Sequence, residues 1–267
     1  MINAFSSTTK NENGENFNCL AALREYTVEE YNTLAFLYKD KQITKKVIYF
    51  YEKALSLRLK TLTKGSKPVA IAYMKLSEAY FDDGQINQSI LFYEKALEIY
   101  REKYGENSIE VATVYSALAN IFFAEEKLEK ALAMYIKALS IRKEFLGNLH
   151  PLTARSYHEL AFFYAAGEEY GLALPLFEKA LKTRVELFRH SHPETATSYS
   201  SLAICCYHLF EYERAYSYLT EAIKIKELIL VKSDERLLIA KKNLVAIKRH
   251  LRKTSWFNTI TNWIKNP

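Results

Sequence analysis

Residues 198–206 read SYSSLAICC, and side chains of this stretch return along the chain at one fixed interval. The anchor is a leucine that recurs every 42 residues, at Leu34, Leu76, Leu118, Leu160, Leu202 and Leu244. A tyrosine stands three residues before each of the first five anchors, at Tyr31, Tyr73, Tyr115, Tyr157 and Tyr199. A period of this length is typical of stacked repeat units, so it predicts an array of similar substructures.

The apolar residues within one unit have the spacing of two amphipathic helices. In the third unit, one stripe comprises Val111, Val114, Tyr115, Leu118, Ala119 and Phe122. The second comprises Leu128, Ala131, Leu132, Tyr135, Ala138 and Leu139. Both follow three- and four-residue steps, and the polar stretch AEEK at 124–127 separates them. We therefore predict an antiparallel pair, helix A and a longer helix B, that ends near Gly147 and is followed by a new helix A at Pro151.

Small residues occupy the positions at which neighbouring helices are expected to touch. An alanine lies twenty residues after each of the first five anchors, at Ala54, Ala96, Ala138, Ala180 and Ala222. Small side chains allow helix axes to approach closely, and one hairpin cannot cover its own apolar faces. With only seven Gly and five Pro, the composition also favours helices over turn-rich β structure. The predicted fold class is all-α.

The pattern resembles the tetratricopeptide repeat. The residues of the fourth unit that carry the resemblance are Tyr157, Leu160, Ala161, Tyr164, Ala173, Phe177 and Ala180. The ordinary family period is about 34 residues, and the longer 42-residue unit with its His-Pro openings is similar to the kinesin light chain subtype. This resemblance covers residues 26–227 and implies a right-handed α-solenoid of five helix-turn-helix repeats with a C-terminal capping helix.

The domain organisation follows from the anchors. We expect a disordered leader at 1–15, a repeat domain at 16–253 and a Trp-rich tail at 254–267. The predicted repeats lie near 26–66, 67–108, 109–150, 151–192 and 193–233, followed by a cap at 234–253. A polar terminal helix is the expected end of such an array.

The resemblance implies a concave groove that is lined mainly by helices A and binds a peptide. The candidate groove residues are Asn32, Phe36, Met74, Lys75, Phe81, Ser116, Asn120, Phe123, Arg155, His158, Phe162, Ser200 and Tyr207. Aromatic residues at helical spacing belong either to a core or to a binding surface. Here other Tyr and Leu residues already supply the core positions, so a partner with apolar anchors is one interpretation.

The polar residues of the groove indicate less about the chemistry of the partner than the aromatic residues do. Arg155 and His158 lie one turn apart and would suit an acidic group, whereas Glu159 or a neighbouring repeat offers Arg155 an internal partner. The Lys and Asn pair with which the chaperone-binding subtype holds a terminal carboxylate does not occur in any repeat. Of the successive Asn pairs with which kinesin light chains hold cargo, Asn32 alone is present.

The sequence offers no catalytic motif, and we expect no enzyme activity, no cofactor and no metal site. The histidines lack HExxH spacing, and neither GxxxxGK[ST] nor GxSxG occurs. The three cysteines lack metal-ligand spacing and are expected to be free thiols in a reducing compartment. With no apolar leader and no stretch long enough to span a membrane, we predict a cytoplasmic protein.

The C-terminal end carries the basic charge. From Lys224 onward there are eleven Lys or Arg residues against three acids, in a chain whose net charge is +6. In the tail, a helix would place five apolar residues on one face: Trp256, Phe257, Ile260, Trp263 and Ile264. That face either covers the last helices, docks weakly on an anionic membrane, folds into the groove or pairs with a second copy. Nucleic acid is not expected as a partner, because no base-reading motif accompanies the charge.

Three functions are consistent with these features. The leading hypothesis is a non-enzymatic scaffold or adaptor that binds a peptide or protein segment in the groove. A second hypothesis makes the tail the functional element, as a peripheral membrane or self-assembly module. A third is a regulatory protein whose superhelix tightens around a signalling peptide.

Overall fold

The structure, a computed structural model, describes the backbone of residues 8–10, 16–18, 26–188 and 191–265 and the side chains of 26–188 and 191–252. The strands are β1 (Thr8–Lys10) and β2 (Asn16–Asn18). The helices are α1 (Val28–Asp40), α2 (Thr44–Thr61), α3 (Lys67–Asp82), α4 (Ile86–Tyr104), α5 (Ile109–Ala124), α6 (Leu128–Leu146), α7 (Pro151–Ala166), α8 (Tyr170–Phe188), α9 (Pro193–His208), α10 (Tyr212–Ile229) and α11 (Glu235–Lys265). The chain forms two compact units, Met1–Lys103 and Tyr104–Pro267.

The first unit contains the strand pair and the first two helical hairpins. Strands β1 and β2 pair antiparallel with Thr9 opposite Phe17. Strand β1 lies within the stretch predicted as a disordered leader, and the other residues of that leader lie outside the described ones. Helix α1 packs on α2, and α2 packs on α3. Between α3 and α4, the hydroxyl of Ser77 donates a 2.5 Å hydrogen bond to the carbonyl of Ser89.

The second unit continues the same pattern. Helices α5 and α6, α7 and α8, and α9 and α10 form hairpins. Each helix B then contacts the next helix A, since α6 packs on α7 and α8 packs on α9, while α10 packs on α11. The helices A also meet each other, α5 with α7 and α7 with α9. The predicted fold class, helix-turn-helix repeats with a further C-terminal helix, is confirmed.

The turn between helix A and helix B has the same backbone geometry in every hairpin. One residue with positive φ stands eight positions after each of the first five anchors: Gln42 (56°), Gly84 (76°), Glu126 (57°), Glu168 (62°) and Phe210 (62°). The amide of the residue after it reaches back five positions, as from Glu211 to the carbonyl of Cys206 (2.8 Å). This is the Schellman arrangement, which supplies partners for the last carbonyls of helix A.

Packing between the helices confirms the role of the small residues. The alanines predicted at the helix contacts, namely Ala54, Ala96, Ala138, Ala180 and Ala222, are all buried. Four of the six anchor leucines are also buried, whereas Leu34 and Leu244 are partly exposed. The helix starts agree with the sequence as well. Pro151 and Pro193 open α7 and α9, and the imidazoles of His150 and His192 accept hydrogen bonds from the first turn of each helix.

Helix α11 extends without interruption from Glu235 to Lys265. The predicted cap and the predicted tail therefore lie on one helix, although the side chains beyond Arg252 are outside the described set. None of the helices in the described ranges combines the length and the apolar character needed to cross a membrane.

Candidate functional site

The exposed side of helices α5, α7 and α9 forms the candidate site in the second unit, and we call it the helix-A face. Phe123 of α5 and Phe162 of α7 meet there edge to face, with ring centroids 6.0 Å apart. Phe162 is 53% exposed, and Ile204 of α9 is 54% exposed. A folded protein rarely leaves neighbouring large apolar side chains uncovered without a use for them. Phe123 and Phe162, predicted as groove residues, are thus brought together on an accessible surface.

Asn120 lies on the same face and is held by a tyrosine beneath it. The phenol of Tyr135 donates a 2.6 Å hydrogen bond to Asn120 Oδ1. Burial, together with the negative charge of Glu159, raises the pKa of Tyr135 well above its usual value, so the phenol remains a donor. Because its carbonyl oxygen is already engaged, Asn120 presents its amide NH₂ group to the surface.

Ser116 lies beneath the face rather than on it. It is 3% exposed, and its hydroxyl accepts a 3.0 Å hydrogen bond from Arg142 Nη1. The same nitrogen donates to Ser156 Oγ of the next helix A at 2.7 Å. Ser116 therefore binds a guanidinium of its own chain, and the prediction that it contacts a ligand is corrected. The reason is that a buried Arg142 reaches across from helix B, which the spacing of helix A alone does not indicate.

Arg155 has the internal partner that the sequence offered as an alternative. Its Nε donates a 2.7 Å hydrogen bond to Glu159 Oε1, one turn along α7. Glu159 Oε2 lies 3.8 Å from Arg142 Nη1, so this carboxylate stands between an exposed and a buried guanidinium. The side chain of Arg155 is still 61% exposed, which leaves it accessible at the edge of the face.

His158 does not supply a positive charge to this surface. Its ring packs edge to face on Phe177, with centroids 5.0 Å apart, and its Nδ1 lies 3.4 Å from Arg184 Nη1. Burial and the positive charge of Arg184 lower the pKa of His158 to about 4. At neutral pH the imidazole is therefore uncharged, and the expectation that Arg155 and His158 jointly meet an acidic group is not supported at His158.

The predicted residues of the fifth repeat lie where α9 meets α11. Tyr207 Oη is 3.3 Å from His250 Nε2, and the Tyr207 ring also contacts Tyr212. Ser200 donates a 2.9 Å hydrogen bond to the carbonyl of Ala196. Both residues line a cleft between α9, α10 and α11.

The first unit has its own set of predicted residues. Phe36 is 62% exposed, whereas Asn32, Met74 and Phe81 are half-buried. The ammonium of Lys75 lies 5.8 Å from the centre of the Tyr51 ring, which places a cation–π contact between α3 and α2.

The tail predictions lie outside the described side chains, although the backbone there is helical. They concern Trp256, Phe257, Ile260, Trp263 and Ile264. Within the described ranges there is no cluster of three or more His, Cys, Asp or Glu residues able to hold a metal ion.

Buried arginines were missed by sequence reasoning. Arg142 and Arg184 stand 42 residues apart, each 24 residues after an anchor leucine, in helices α6 and α8. Arg184 Nη1 donates to Ser198 Oγ at 2.6 Å, and its Nε lies 3.2 Å from a carboxylate oxygen of Glu194. The 42-residue spacing of the two arginines could have indicated their role. A charged residue that recurs at a position facing the core requires a partner that recurs with it.

The fold and the exposed aromatic face define a helical-repeat protein of the kind that binds other proteins. Residues 68–144, 110–162 and 152–227 match the tetratricopeptide repeat model. These overlapping matches span more than half of the sequence, and the chain belongs to the tetratricopeptide repeat family. No curated protein matches it.

Solved structures with the same fold include light-chain-like repeats. BtubC (BKLC) from P. vanneervenii is 26% identical, with a TM-score of 0.66, over 76% of this chain and 80% of that one. The nearly identical TPR-like repeats of a putative kinesin light chain from Podospora anserina are 21% identical, with a TM-score of 0.62, over 74% of this chain and 94% of theirs. The predicted resemblance to the kinesin light chain subtype is confirmed at the level of fold.

A third similar structure is described as an enzyme. Aspartyl phosphate phosphatase F from Bacillus subtilis is 20% identical, with a TM-score of 0.68, over 89% of this chain and 60% of that one. At this identity the likeness concerns the fold alone, and this chain spans less than two thirds of the phosphatase structure.

Proposed function

We propose that this chain is a non-catalytic scaffold that binds a segment of a partner protein on the helix-A face of its second unit. The observation that carries the proposal is the pair Phe123 and Phe162, which meet at 6.0 Å on an accessible surface of a tetratricopeptide repeat fold. Aromatic side chains that stand on packed helices are typical anchors of protein interfaces, because they offer large apolar area at little entropic cost.

The chemistry of the face indicates the chemistry of the partner. The apolar side chains of Phe123, Phe162 and Ile204 are flanked by the amide of Asn120 and the guanidinium of Arg155. Because Glu159 neutralises part of the charge of Arg155, the face is only weakly electropositive. We therefore expect a segment with apolar anchors and few charges, bound either extended or as an amphipathic helix.

Selection of peptides from a randomised display library against the full chain tests this proposal. Enriched peptides should lose binding to the double variant Phe123→Glu/Phe162→Glu by at least tenfold, because two carboxylates would be placed against apolar anchors. Phe145→Glu is the control, since Phe145 on helix B, α6, is as exposed as Phe162, whereas Phe123 is half-buried. Helical circular dichroism of all variants should match that of the unchanged chain.

Two outcomes would contradict the proposal. One is the enrichment of no peptide by the full chain. The other is equal binding of the enriched peptides to the double variant and to the Phe145→Glu control.

The continuity of helix α11 supports a second candidate function, in which the C-terminal end docks on an anionic membrane. Arg249 and Arg252 are exposed on the segment that leads into the Trp-rich turns. Cosedimentation with vesicles that contain phosphatidylserine should decrease when residues 254–267 are removed, and equal cosedimentation of both chains would contradict this function. The cytoplasmic location remains a prediction.

A further inference from the structure

A basic residue stands 24 positions after four of the first five anchor leucines, at Arg58, Arg142, Arg184 and Lys226. In the second unit, the first two of these basic groups are matched by the helix A that follows them. Arg142 bonds to Ser156 of α7 and faces Glu159, and Arg184 bonds to Ser198 of α9 and pairs with Glu194. Each buried guanidinium thus receives a hydroxyl and a carboxylate from the next repeat.

The third basic residue of this unit meets a different set of partners. In α11, Ala240 occupies the position of Ser156 and Ser198, so the hydroxyl is missing. Asn243 replaces Glu159, and Arg236 replaces Glu194. One amide and one further cation therefore stand where the earlier repeats offer carboxylates.

Lys226 consequently has a weaker charge complement than Arg142 or Arg184 has. Within the described part of the chain, its ammonium forms no hydrogen bond and no salt bridge. The neighbouring carboxylate, Asp234, is held by Arg236 through two contacts of 3.0 and 2.8 Å. Burial and the charge of Arg236 lower the pKa of Lys226, and the opposing charge of Asp234 does not outweigh them.

Lys226 lies at a cleft of about 400 Å³ between α9, α10 and α11. The walls are mainly apolar, with Ile204, Tyr207, Ile239 and Ile247 among them. Ser200, Asn243 and Arg236 also line the cleft. The hydroxyl proton of Ser200 is used within α9, so the amide of Asn243 and the remaining N–H groups of Arg236 are the added donors. A cavity of this size, apolar with a few polar groups, is typical of small-molecule sites.

We propose that this cleft binds a medium-chain aliphatic carboxylate, whose chain lies against Ile204, Ile239 and Ile247 and whose carboxylate pairs with Lys226. The apolar walls favour a flexible hydrocarbon chain over a polar ligand. The cation supplies the charge complement that the repeat pattern provides internally at Arg142 and Arg184. The site takes its walls from the last repeat and from α11. It shares Ile204 with the helix-A face, but it does not depend on Phe123 or Phe162.

The probe is sodium octanoate, titrated into the full ¹⁵N-labelled chain below its micellar concentration. Amide shifts should cluster on α9, α10 and α11, and hexanoate should bind several-fold more weakly, because two methylenes leave the apolar wall. Octanamide, the neutral isostere, should bind at least tenfold more weakly than octanoate, since it forms no ion pair. Shifts scattered over the whole surface, or equal binding of octanamide, would overturn the proposal.

Three variants separate binding in the cleft from general effects of charge. Lys226→Met keeps the length of the side chain and should reduce octanoate affinity at least tenfold, whereas Lys232→Met, at an exposed position of the following loop, removes the same charge and should leave it unchanged. Asn243→Phe fills the cleft from an exposed position and should also abolish binding. Unaltered octanoate binding by both Lys226→Met and Asn243→Phe would refute the site.

A peptide with a C-terminal leucine tests whether the carboxylate belongs to a free aliphatic acid or to the end of a polypeptide. Binding of octanoate with little or no binding of this peptide supports a free acid, and binding of the peptide alone overturns that assignment. The double variant Phe123→Glu/Phe162→Glu should bind octanoate normally. The test therefore gives its answer whether or not the helix-A face binds a protein segment.

Discussion

Arg184 of α8 donates a 2.6 Å hydrogen bond to Ser198 of α9, and the Arg142–Ser156 pair repeats this relationship one period earlier at 2.7 Å. Each bond joins helix B of one repeat to helix A of the next, and a carboxylate of that next helix, Glu194 or Glu159, faces the same guanidinium. Guanidinium groups are buried at real cost, so the bond specifies which faces meet as well as holding them together.

Ser198→Ala should lower the free energy of unfolding by about 1–3 kcal/mol, because it leaves the buried Arg184 without its hydroxyl partner. Ser140→Ala is the control, since Ser140 is exposed on α6 and its replacement should change stability by less than about 0.5 kcal/mol. Urea unfolding followed by circular dichroism measures both. Equal stability of the two variants would show that the buried bond contributes nothing.

Glu159 should matter more to stability than its exposed partner does. Glu159→Gln removes the charge that faces the buried Arg142, and we expect a loss of about 1–3 kcal/mol. Arg155→Gln breaks a pair whose arginine is largely exposed, so we expect less than about 1 kcal/mol. Denaturant midpoints of the two single variants decide the matter, and a larger effect at Arg155 would contradict this ranking.

The half-buried imidazole of His158 should make stability depend on pH. Its pKa is lowered to about 4 in the folded chain, so the unfolded chain, with its ordinary pKa of about 6.5, binds the proton more tightly. The stabilisation is therefore complete above pH 6.5 and is lost as the pH falls from 6.5 towards 4. The loss from this group is at most about 3 kcal/mol.

Comparison of unfolding at pH 7.5 and pH 5 measures this effect. The difference between the two pH values should be smaller in His158→Gln than in the unchanged chain. The same difference in both chains would show that His158 does not titrate as the structure indicates.

Glycine occupies the positive-φ position at one of the five turns between helix A and helix B. Gly84 has a φ of 76° and open space around it, so Gly84→Ala should cost about 1 kcal/mol through backbone strain alone. Gly65 is also surrounded by open space but has no positive φ, so Gly65→Ala is the matched control and should be neutral or slightly stabilising. The melting temperatures of the two variants measure this difference. An equal change in both would show that backbone strain at Gly84 does not determine the effect.

The two adjacent free thiols of α9 should not react with thiol reagents while the chain is folded. Cys205 and Cys206 are buried, and burial raises their pKa values to about 12 and about 11. In a Cys19→Ser background, a thiol reagent at pH 8 should therefore label these residues only at the rate at which the chain opens. Rapid labelling of the native protein would show that the last hairpin is far less stable than its packing indicates.

The sequence was sufficient to predict the helices because the same pattern of apolar residues occurs in every unit. Leu118, Leu160 and Leu202 stand in one register, and each identifies the same buried position in its unit. The candidate site was predicted less completely. Phe123 and Phe162 lie on the accessible face as expected, whereas Ser116 and His158 are turned to internal partners.

Those two misplacements share one physical cause. Ser116 and His158 occupy the same position in successive units, and each is reached by the arginine of its own helix B. Helical spacing reports which side of helix A a residue occupies, but not how far a long side chain extends from another helix. The cleft beside Lys226 escaped prediction for a similar reason, because it depends on the way α11 packs against α10.

The five turns keep one backbone geometry although their central residues are Gln, Gly, Glu, Glu and Phe. Phe210, which is 76% exposed and strained at positive φ, adopts it nonetheless, so the packed helices impose the turn and the residue there is free to vary. Because the turns share one geometry, one hairpin could replace another in the array. A gene segment of one period, duplicated or deleted in frame, would lengthen or shorten the array without disturbing the connections on either side.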